Sequence, residues 1–460
     1  MVILKFTIFL FSIFLLGYPL VSLLIKDQRP FLARLAISWG IGAALIPLEL
    51  FLGFFILKFK FNLAIFYLIL IVQIALLFYL VFKNNNSGSR FNLTALKFAW
   101  PKLKLSSAAI LILIFIQIVF LFLNVLARPT LAYDNLAMWQ YKPKILFYEN
   151  QINFDKQKYA YLGGGGHINY PWQTQLLSYW LYANLGEFND QLSNFINLIY
   201  YLFILFVIYY FIRQYLSAFI SLIFVWFFST LPLPFYHAYN GYADLILSYY
   251  LLLVFIFLFY WLQKERQDKL LLAGVFFSSA LFVKNDAIFI IAGLLTIMLK
   301  LFLSKRKFIS QLKTAGIYLL VIILPLLPWL FIKIKYNLTF KNVEPGISYH
   351  GEVWRNIYES LFLSNSFNIW WFIVILSLAL NFMKIKKQNN LLLAWLFLIL
   401  CLTGLITLYL FTEEYRFAID NTALSRNFLT LIPVSVILAA VSFAPQTERP
   451  AGWQLSLALL

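Results

Sequence analysis

Apolar and polar positions alternate along the chain in long blocks rather than residue by residue. Runs rich in Leu, Ile and Phe extend for about 18 to 25 residues and are separated by short polar connections. A helix of that length crosses roughly 30 Å of hydrocarbon, because each residue adds about 1.5 Å. The runs lack the strict alternation of a barrel strand, so the pattern predicts a bundle of membrane-spanning helices. We place about thirteen spans, at residues 2–25, 35–57, 61–82, 106–126, 191–212, 216–235, 243–262, 270–283, 286–303, 314–332, 366–383, 391–411 and 427–443.

The longest polar interruption of this pattern extends from residue 127 to residue 190. It contains an acid just after the fourth span (Asp134), two lysines (Lys142 and Lys144) and one of the three histidines (His167). A loop of this size is not needed to join two spans, so we expect it to carry function.

Two helices are predicted in this loop, on either side of a four-glycine run at 163–166. The first covers 135–150, where aromatic residues lie beside lysines, and is expected to break at Pro143. The second is opened by Pro171 and closed by Gly186. Both helices are expected to lie in the membrane interface. The apolar face of the second is predicted to hold Leu176, Leu177, Trp180 and Leu181.

Composition agrees with the apolar pattern. Of the 460 residues, 63% are hydrophobic and 12% are charged, whereas ordinary soluble domains contain about 25% charged residues. The single cysteine, Cys401, lies inside a predicted span, so no intramolecular disulfide can form. The first apolar block is too long for a signal-peptide core and is kept as a span. The sequence therefore predicts an all-α polytopic membrane protein.

The net charge of +18 is distributed unevenly between the two sides of the predicted bundle. Every second connection is rich in lysine and arginine and poor in carboxylates, whereas the other connections are nearly balanced. The positive-inside rule places the basic connections in the cytoplasm and the 127–190 loop outside, with the N-terminus out and the C-terminus in. Membrane orientation thus accounts for the charge, and we expect no nucleic-acid partner. The predicted location is a cell membrane, which the chain crosses many times.

Three regions are predicted from the order of spans and loops. Residues 1–105 form a three-span accessory region with a cytoplasmic loop, and residues 106–443 form the transmembrane core. Residues 444–460 form a short cytoplasmic tail.

Further polar sets interrupt the apolar runs after the long loop. By the predicted topology they all face the same side of the membrane as that loop, which favours a shared site. The sets are 232–244, 284–286, 333–364, 413–416 and 425–426.

The charged residues of the long loop and of the last span have alternative interpretations. Asp134 is suited to act as a general base at the membrane edge, or to cap the helix that follows it. Lys142, Lys144 and Arg426 are suited to hold a phosphate. The alternative for the two lysines is that they extend from the interface into water. Arg426 begins a span on the less basic side, where an interfacial anchor is less expected.

The remaining polar candidates lie in apolar surroundings. His167 and His237 are candidate metal ligands, but their spacing matches no metal-binding motif, so we expect no metal and no cofactor, with a divalent metal as the alternative. Asp244, Lys284 and Asp286 either form an ion pair that packs helices or mark a site, because ionisable groups inside a membrane are costly. We assign these five residues, together with Tyr170, to substrate binding.

Five of these stretches resemble motifs of the GT-C superfamily of membrane glycosyltransferases. The similarity is to the bacterial multispan relatives of the protein O-mannosyltransferases and of the aminoarabinose transferase, and it covers about residues 106–440. The stretches are YDNLAMWQYKPK (133–144), HINYP (167–171), NGYAD (240–244), VKND (283–286) and SRNFLTLIP (425–433).

The resemblance implies a GT-C core and a sugar donor carried on a polyprenyl phosphate, with transfer to an acceptor on the outer face. Asp134 matches the position of the family's loop aspartate, which implies a catalytic role in activating or orienting the acceptor. Arg426 is then expected to contact the donor phosphate. The mannosyltransferases commonly have a second acid after that aspartate, where this chain has Asn135, so the acceptor stays open.

The mechanism that fits is an inverting displacement at the anomeric carbon, for which one base and one cationic clamp suffice. Two other functions remain open. A flippase or transporter of lipid-linked saccharides is expected to show internal repeats and broken helices at mid-membrane. A polysaccharide polymerase or ligase is expected to have its large loop late in the chain rather than after the fourth span.

Overall fold

The computed structural model describes residues 1–25, 31–85, 104–151, 154, 167–285, 288–304, 308–339 and 346–445. Within these ranges the chain is helical, and the one pairing of extended segments is an isolated antiparallel bridge between Ile347 and Thr412. The predicted all-α membrane fold is therefore confirmed.

Twenty-one α-helices account for most of the described chain. They are α1 (Val2–Leu24), α2 (Phe31–Phe51), α3 (Leu63–Asn85), α4 (Leu105–Ala127), α5 (Tyr141–Glu149), α6 (Gln173–Leu185), α7 (Asp190–Ile212), α8 (Ala218–Ser229), α9 (Pro232–Asn240), α10 (Ala243–Lys264), α11 (Gln267–Val283), α12 (Ile288–Leu303), α13 (Phe308–Ile323), α14 (Leu327–Lys335), α15 (Val353–Tyr358), α16 (Trp370–Leu380), α17 (Phe382–Lys387), α18 (Asn389–Phe411), α19 (Tyr415–Ile419), α20 (Leu424–Leu429) and α21 (Ile432–Ser442). Single π-helical turns occur at Leu52–Ile56, Asn135–Trp139 and Glu359–Leu363.

Eight helical segments of the described ranges are long and apolar enough to cross a membrane, or nine if the bent pair α8–α9 is one span. The eight are α1, α2 with its π-helical turn, α3, α4, α7, α10, α13 with α14, and α18. Among the remaining predicted spans, α12, α16 and α21 are shorter apolar helices of 10–17 residues. The total of thirteen spans therefore stays a prediction.

The helix at the centre of the bundle is α10. Every residue from Ala243 to Leu262 is buried, and the helix packs against α7, α11, α18 and α21. A helix that is apolar on all sides is expected to lie inside a large bundle. Because its neighbours surround it, the polar residues at its N-terminal end are brought close to several other helix ends.

A sharp turn at Gly241 connects α9 to this central helix. Gly241 has a φ of +69°, in the left-handed region that favours glycine. A Cβ atom at this position would overlap the side-chain amide of Asn135, in the π-helical turn of the long loop. The turn therefore requires glycine both for its backbone conformation and for close packing.

The helices predicted in the long loop are present as α5 and α6, with one correction. The predicted helix 135–150 is interrupted at Gln140, and Pro143 lies in the first turn of α5, where a proline costs no intrahelical hydrogen bond. We predicted one apolar face for α6, but nearly all of its residues are buried, Gln173 and Gln175 included. This helix packs into the bundle against α1, α2 and α5. Gly186 ends α6 in a left-handed conformation, as predicted.

The first two helices pack directly against the rest of the bundle. The Trp180 indole in α6 donates to Ser12 in α1 at 3.0 Å, and the Tyr250 hydroxyl in α10 donates to the carbonyl of Gly40 in α2 at 2.9 Å. The division into an accessory region and a core stays a prediction. The glycine run at 163–166 and residues 446–460 of the tail lie outside the described ranges.

Candidate functional site

Asp244 is a fully buried carboxylate that pairs with two cations. The Lys284 Nζ atom lies 2.7 Å from Asp244 Oδ1, and the Arg426 Nε atom lies 3.1 Å from Asp244 Oδ2. Asp244 is in the first turn of α10 and Lys284 caps the C-terminal end of α11, so both charges complement the helix dipoles. Buried charges are tolerated when they are paired in this way.

Arg426 bridges this buried carboxylate to Asp134. Its Nη1 atom lies 2.5 Å from Asp134 Oδ2, and its guanidinium lies over the Tyr242 ring, 4.6 Å from the centroid. The side chains of Arg426 and Asp134 are 19% and 22% exposed, whereas Asp244 is inaccessible. A ligand can therefore reach the outer part of this group, while its inner part is fixed by the bundle.

Asp134 occupies the N-cap position of the π-helical turn Asn135–Trp139, but its side chain makes no capping hydrogen bond. Its carboxylate is instead directed to Arg426. In the structure this carboxylate therefore makes an ion pair and no capping hydrogen bond.

His237 lies behind this charged group. Its side chain is buried and stacks on the Tyr242 ring at a centroid distance of 4.5 Å. Its Nδ1 atom is 4.0 Å from Asp244 Oδ2, too far for a hydrogen bond, and has no hydrogen-bond partner within the described ranges. His237 therefore packs against Tyr242 inside the bundle and does not face solvent.

The polar residues after α11 connect the charged group to the long loop. Lys284 Nζ lies 3.3 Å from the Asn427 side-chain oxygen, and the Asn427 amide donates to the Tyr409 hydroxyl at 2.7 Å. The Asn285 amide donates to the backbone carbonyl of Asn169 at 2.9 Å. Asp286, the third member of this predicted set, lies outside the described residues.

A second basic group consists of Lys142 and Lys333, which both donate to backbone carbonyls of the long loop. Lys142 is fully buried, donates to the carbonyl of His167 at 2.8 Å and lies 5.0 Å from the Trp172 ring centroid. Lys333 in α14 donates to the carbonyls of Asn169 and Thr339 at 3.0 and 2.7 Å. Burial, followed by repulsion from Lys333, lowers the pKa of Lys142 to about 7.

The other predicted residues of the loop are placed differently. Lys144 is exposed, and its Nζ atom lies over the Phe188 ring at 4.9 Å. Residues two apart on a helix do not face each other, so Lys142 and Lys144 do not form one clamp. Tyr170 packs its ring edge-on against Trp139 at 5.7 Å and against His167 at 6.1 Å.

No group of three or more His, Cys, Asp or Glu side chains in the described part of the chain could hold a metal ion. Of the predicted site residues, the structure brings four together in one ionic group of two acids and two cations: Asp134, Asp244, Lys284 and Arg426.

Three residues of this site were not among the sequence-based candidates. Tyr242 is inside the NGYAD motif, but nothing in the sequence distinguishes it from interfacial tyrosines. Asn427 follows Arg426 directly, and Lys333 was interpreted only as the start of a loop. Lys333 lies near the end of a predicted span, and an ionisable residue in such a position can indicate a functional site.

Comparison with known proteins finds a family whose sequence model matches part of this chain. Residues 176–330 match the model of the dolichyl-phosphate-mannose-protein mannosyltransferase family. The match covers less than half of the chain and includes His237, Asp244 and Lys284. It confirms the resemblance to the GT-C superfamily and supports a membrane glycosyltransferase of that type.

The crystal structure of ArnT from Cupriavidus metallidurans in the apo state is similar, with a TM-score of 0.49 and 14% sequence identity. The similarity covers 74% of this chain and 60% of that protein, so this chain spans less than two thirds of its length. No curated protein matches the sequence.

Proposed function

We propose that this protein transfers a sugar from a polyprenyl phosphate to an acceptor on the extracytoplasmic face of a bacterial plasma or inner membrane. In this proposal Arg426 holds the donor phosphate and Asp134 takes the proton of the acceptor. The observation that supports it best is the position of Arg426, which joins a partly exposed carboxylate to a buried one.

The two carboxylates have different roles in this proposal. Asp244 is inaccessible and holds the Nε edge of Arg426, so it fixes the plane of the guanidinium. The Nη1 atom is paired with Asp134 at the accessible edge. A guanidinium offers five N–H donors in a planar fork, which suits the oxygens of a phosphate. A donor phosphate would compete with Asp134 for this edge and release its carboxylate next to the bound sugar.

The chemistry then needs few groups. An acceptor hydroxyl or amide attacks the anomeric carbon, the bond between that carbon and the phosphate oxygen breaks, and the configuration inverts. The polyprenyl phosphate leaves with the electron pair, and its charge is stabilised by Arg426. Asp134 takes the proton of the acceptor. Holding donor and acceptor in line supplies much of the remaining rate enhancement.

Donor binding by Arg426 variants tests this proposal. Arg426→Ala should weaken binding of a polyprenyl-phosphate sugar by about 10- to 100-fold, as expected for hydrogen bonds to charged groups. Arg426→Lys should restore part of this loss, because the charge is kept but the fork is not. The readout is equilibrium binding to purified protein whose fold has been checked by size-exclusion chromatography.

Arg266→Ala is the matched control, because Arg266 is exposed and pairs with Asp268 at another part of the bundle. Its donor affinity should equal that of the parent protein. If both Arg426 variants also bind the donor like the parent, Arg426 serves only its ion pairs with Asp134 and Asp244, and its assignment to the donor phosphate is wrong.

A further inference from the structure

Two buried asparagines, Asn194 and Asn197, lie one turn apart on α7. Residues three apart lie side by side on one face of a helix. An amide inside a bundle is costly unless it is hydrogen-bonded, so the partners of these side chains indicate what they do. Neither residue was among the sequence-based candidates.

Asn194 holds the segment that carries Asp134. Its side-chain oxygen accepts from the Asn135 amide at 2.9 Å, and its own amide nitrogen donates to the Thr130 hydroxyl at 3.1 Å. Thr130 and Asn135 are buried as well. Asp134 therefore lies between two residues that are bonded to the same side chain of α7.

The direction of these hydrogen bonds requires an amide at position 135. The Thr130 hydroxyl donates its proton to the backbone carbonyl of Asp190 at 3.3 Å, so it accepts from Asn194. The Asn194 oxygen then faces Asn135 and needs a donor there, which an ionised carboxylate does not supply. The mannosyltransferases commonly have an acid at this position. In this chain the residue instead fixes its neighbour, Asp134.

Asn197 holds the turn that leads to Asp244. Its amide donates to the backbone carbonyls of Tyr242 at 2.7 Å and of His237 at 3.3 Å, which lie on either side of the turn between α9 and α10. The Tyr242 ring lies under the Arg426 guanidinium, and Asp244 is two residues further along the chain.

The two segments meet at Gly241. A Cβ atom there would overlap the side-chain nitrogen of Asn135 and lie 2.6 Å from the side-chain oxygen of Asn194. One face of α7 therefore fixes both the start of the long loop and the turn before α10, at the point where the two are in contact.

We propose that Asn194 and Asn197 are positioning residues that set the separation of Asp134 and Asp244 across Arg426. Each amide holds one of the two segments that carry these carboxylates, so a change at one asparagine displaces mainly one carboxylate. The effect on sugar transfer rests on the proposed function, whereas the fixing of the two segments does not.

Hydrogen exchange of backbone amides measures the fixing of the segments without any substrate. Asn194→Leu should raise exchange mainly in residues 130–135, and Asn197→Leu mainly in residues 237–242. Each increase should be about 3- to 10-fold, the effect of a lost hydrogen bond. Asn124→Leu is the matched control, because this buried amide donates within its own helix at 2.8 Å, and it should change neither segment. Unchanged exchange of both segments in both α7 variants would overturn the proposal.

Transfer kinetics distinguish positioning from a purely structural role. Asn194→Leu should lower kcat by about 10- to 100-fold without weakening donor binding, because a displaced base loses its alignment while Asp244 still holds Arg426. Asn197→Leu should weaken donor binding by about 3- to 10-fold, because the turn it holds carries Tyr242, which packs on Arg426. Folded variants that keep the kcat and the donor affinity of the parent would show that the asparagines only stabilise the fold, and the proposal would be wrong.

Asn135→Ala removes the hydrogen bond to Asn194 from the loop side and leaves α7 unchanged, so it provides the same test where a leucine in α7 prevents folding. It should lower kcat without weakening donor binding. Combined with Asn194→Leu, it should lower kcat no further than Asn194→Leu alone, because the two residues share one interaction. Losses that multiply in the double variant would contradict a shared positioning bond.

A failure of the proposed function gives a different result. A parent protein that transfers no sugar, but whose two segments respond separately to Asn194→Leu and Asn197→Leu in exchange, would disprove the reaction and keep the role of both asparagines. A parent protein that transfers sugar, with exchange unchanged in both variants, would disprove the positioning alone.

Discussion

Asp134 and Asp244 contact the same guanidinium but meet different physical conditions. Asp244 is completely enclosed and is held by Lys284 as well, so it cannot exchange partners with a ligand. Asp134 is partly exposed, and its contact to Arg426 is at the accessible edge of the group. This difference in accessibility is the reason for assigning catalysis to Asp134 and positioning to Asp244.

Asp134→Asn should remove proton transfer while leaving the fold intact. The amide cannot accept the acceptor's proton, so transfer should fall by roughly 10²–10⁴-fold, the range for a lost general base. Donor affinity should be unchanged or higher, because one competitor for Arg426 is weakened. Transfer kinetics and donor binding are measured on the same preparation. A fully active Asn variant would show that this carboxylate has no role as a base.

Asp244→Asn should destabilise the protein itself. It leaves the charges of Lys284 and Arg426 without their buried partner, and breaking a buried ion pair costs about 3–5 kcal/mol. Glu359→Gln is the matched control, because Glu359 pairs with Arg355 where both side chains are exposed, and such pairs contribute about 0–1 kcal/mol. Thermal unfolding in detergent should separate the two variants clearly. Similar unfolding temperatures would mean that the buried group does not stabilise the bundle.

At the scale of helices, the site is assembled from helix ends. The first turn of α10, the C-cap of α11, the short helix α20 and the N-cap of the π-helical turn before α5 each supply one charged side chain. Polar side chains at helix ends can meet at one point of a bundle without placing charge along its apolar helix faces.

Gly241→Ala tests the turn that aligns two of these ends. An added Cβ would overlap the Asn135 amide, which itself donates to Asn194 at 2.9 Å, and the positive φ disfavours alanine. The variant should lower both the unfolding temperature and transfer activity. Gly316→Ala is the control, since nothing lies within 4 Å of a Cβ there and alanine favours its helix. An unfolding temperature for Gly241→Ala equal to that of this control would contradict the account of the turn.

The apolar pattern predicted helices well where a run was long and uninterrupted. The predicted spans 2–25 and 391–411 correspond to α1 and α18 within two residues. The span predicted at 216–235 is instead broken between α8 and α9, which meet at 68°. Pro232 and Pro234 lie at this break, and a proline inside a helix removes a hydrogen bond and clashes with the preceding turn. Hydropathy alone cannot detect such a break.

At the scale of the whole molecule, the sequence indicated the candidate residues but not their partners. Polar residues in an apolar pattern are conspicuous, so Asp134, Asp244, Lys284 and Arg426 were predicted as site residues. Arg426 and Asp244 are 182 positions apart, and no local pattern encodes a contact over that separation. The burial of α6 was missed for a related reason, because the Gln173 amide donates to distant partners, the carbonyl of Ala43 in α2 and the Tyr250 hydroxyl in α10.

Orientation across the membrane is tested by chemical labelling from the two sides. The charge asymmetry predicts that the 127–190 loop is outside and that 304–313 is cytoplasmic. Glu149→Cys and Lys313→Cys, each in a Cys401→Ser background, should therefore react with an impermeant reagent from opposite sides. Both positions are exposed. Reaction from the same side would contradict the topology and the extracytoplasmic location of the site.

The central claim is that this protein breaks the bond between a sugar and a polyprenyl phosphate. Purified protein in liposomes, supplied with membrane extract as acceptor and a panel of polyprenyl-phosphate sugars, measures this most directly. The account predicts that sugar is transferred to the acceptor and that bare polyprenyl phosphate accumulates, with both products lost in Asp134→Asn. Movement of the intact lipid-linked sugar across the bilayer, without cleavage, would contradict it and indicate a flippase.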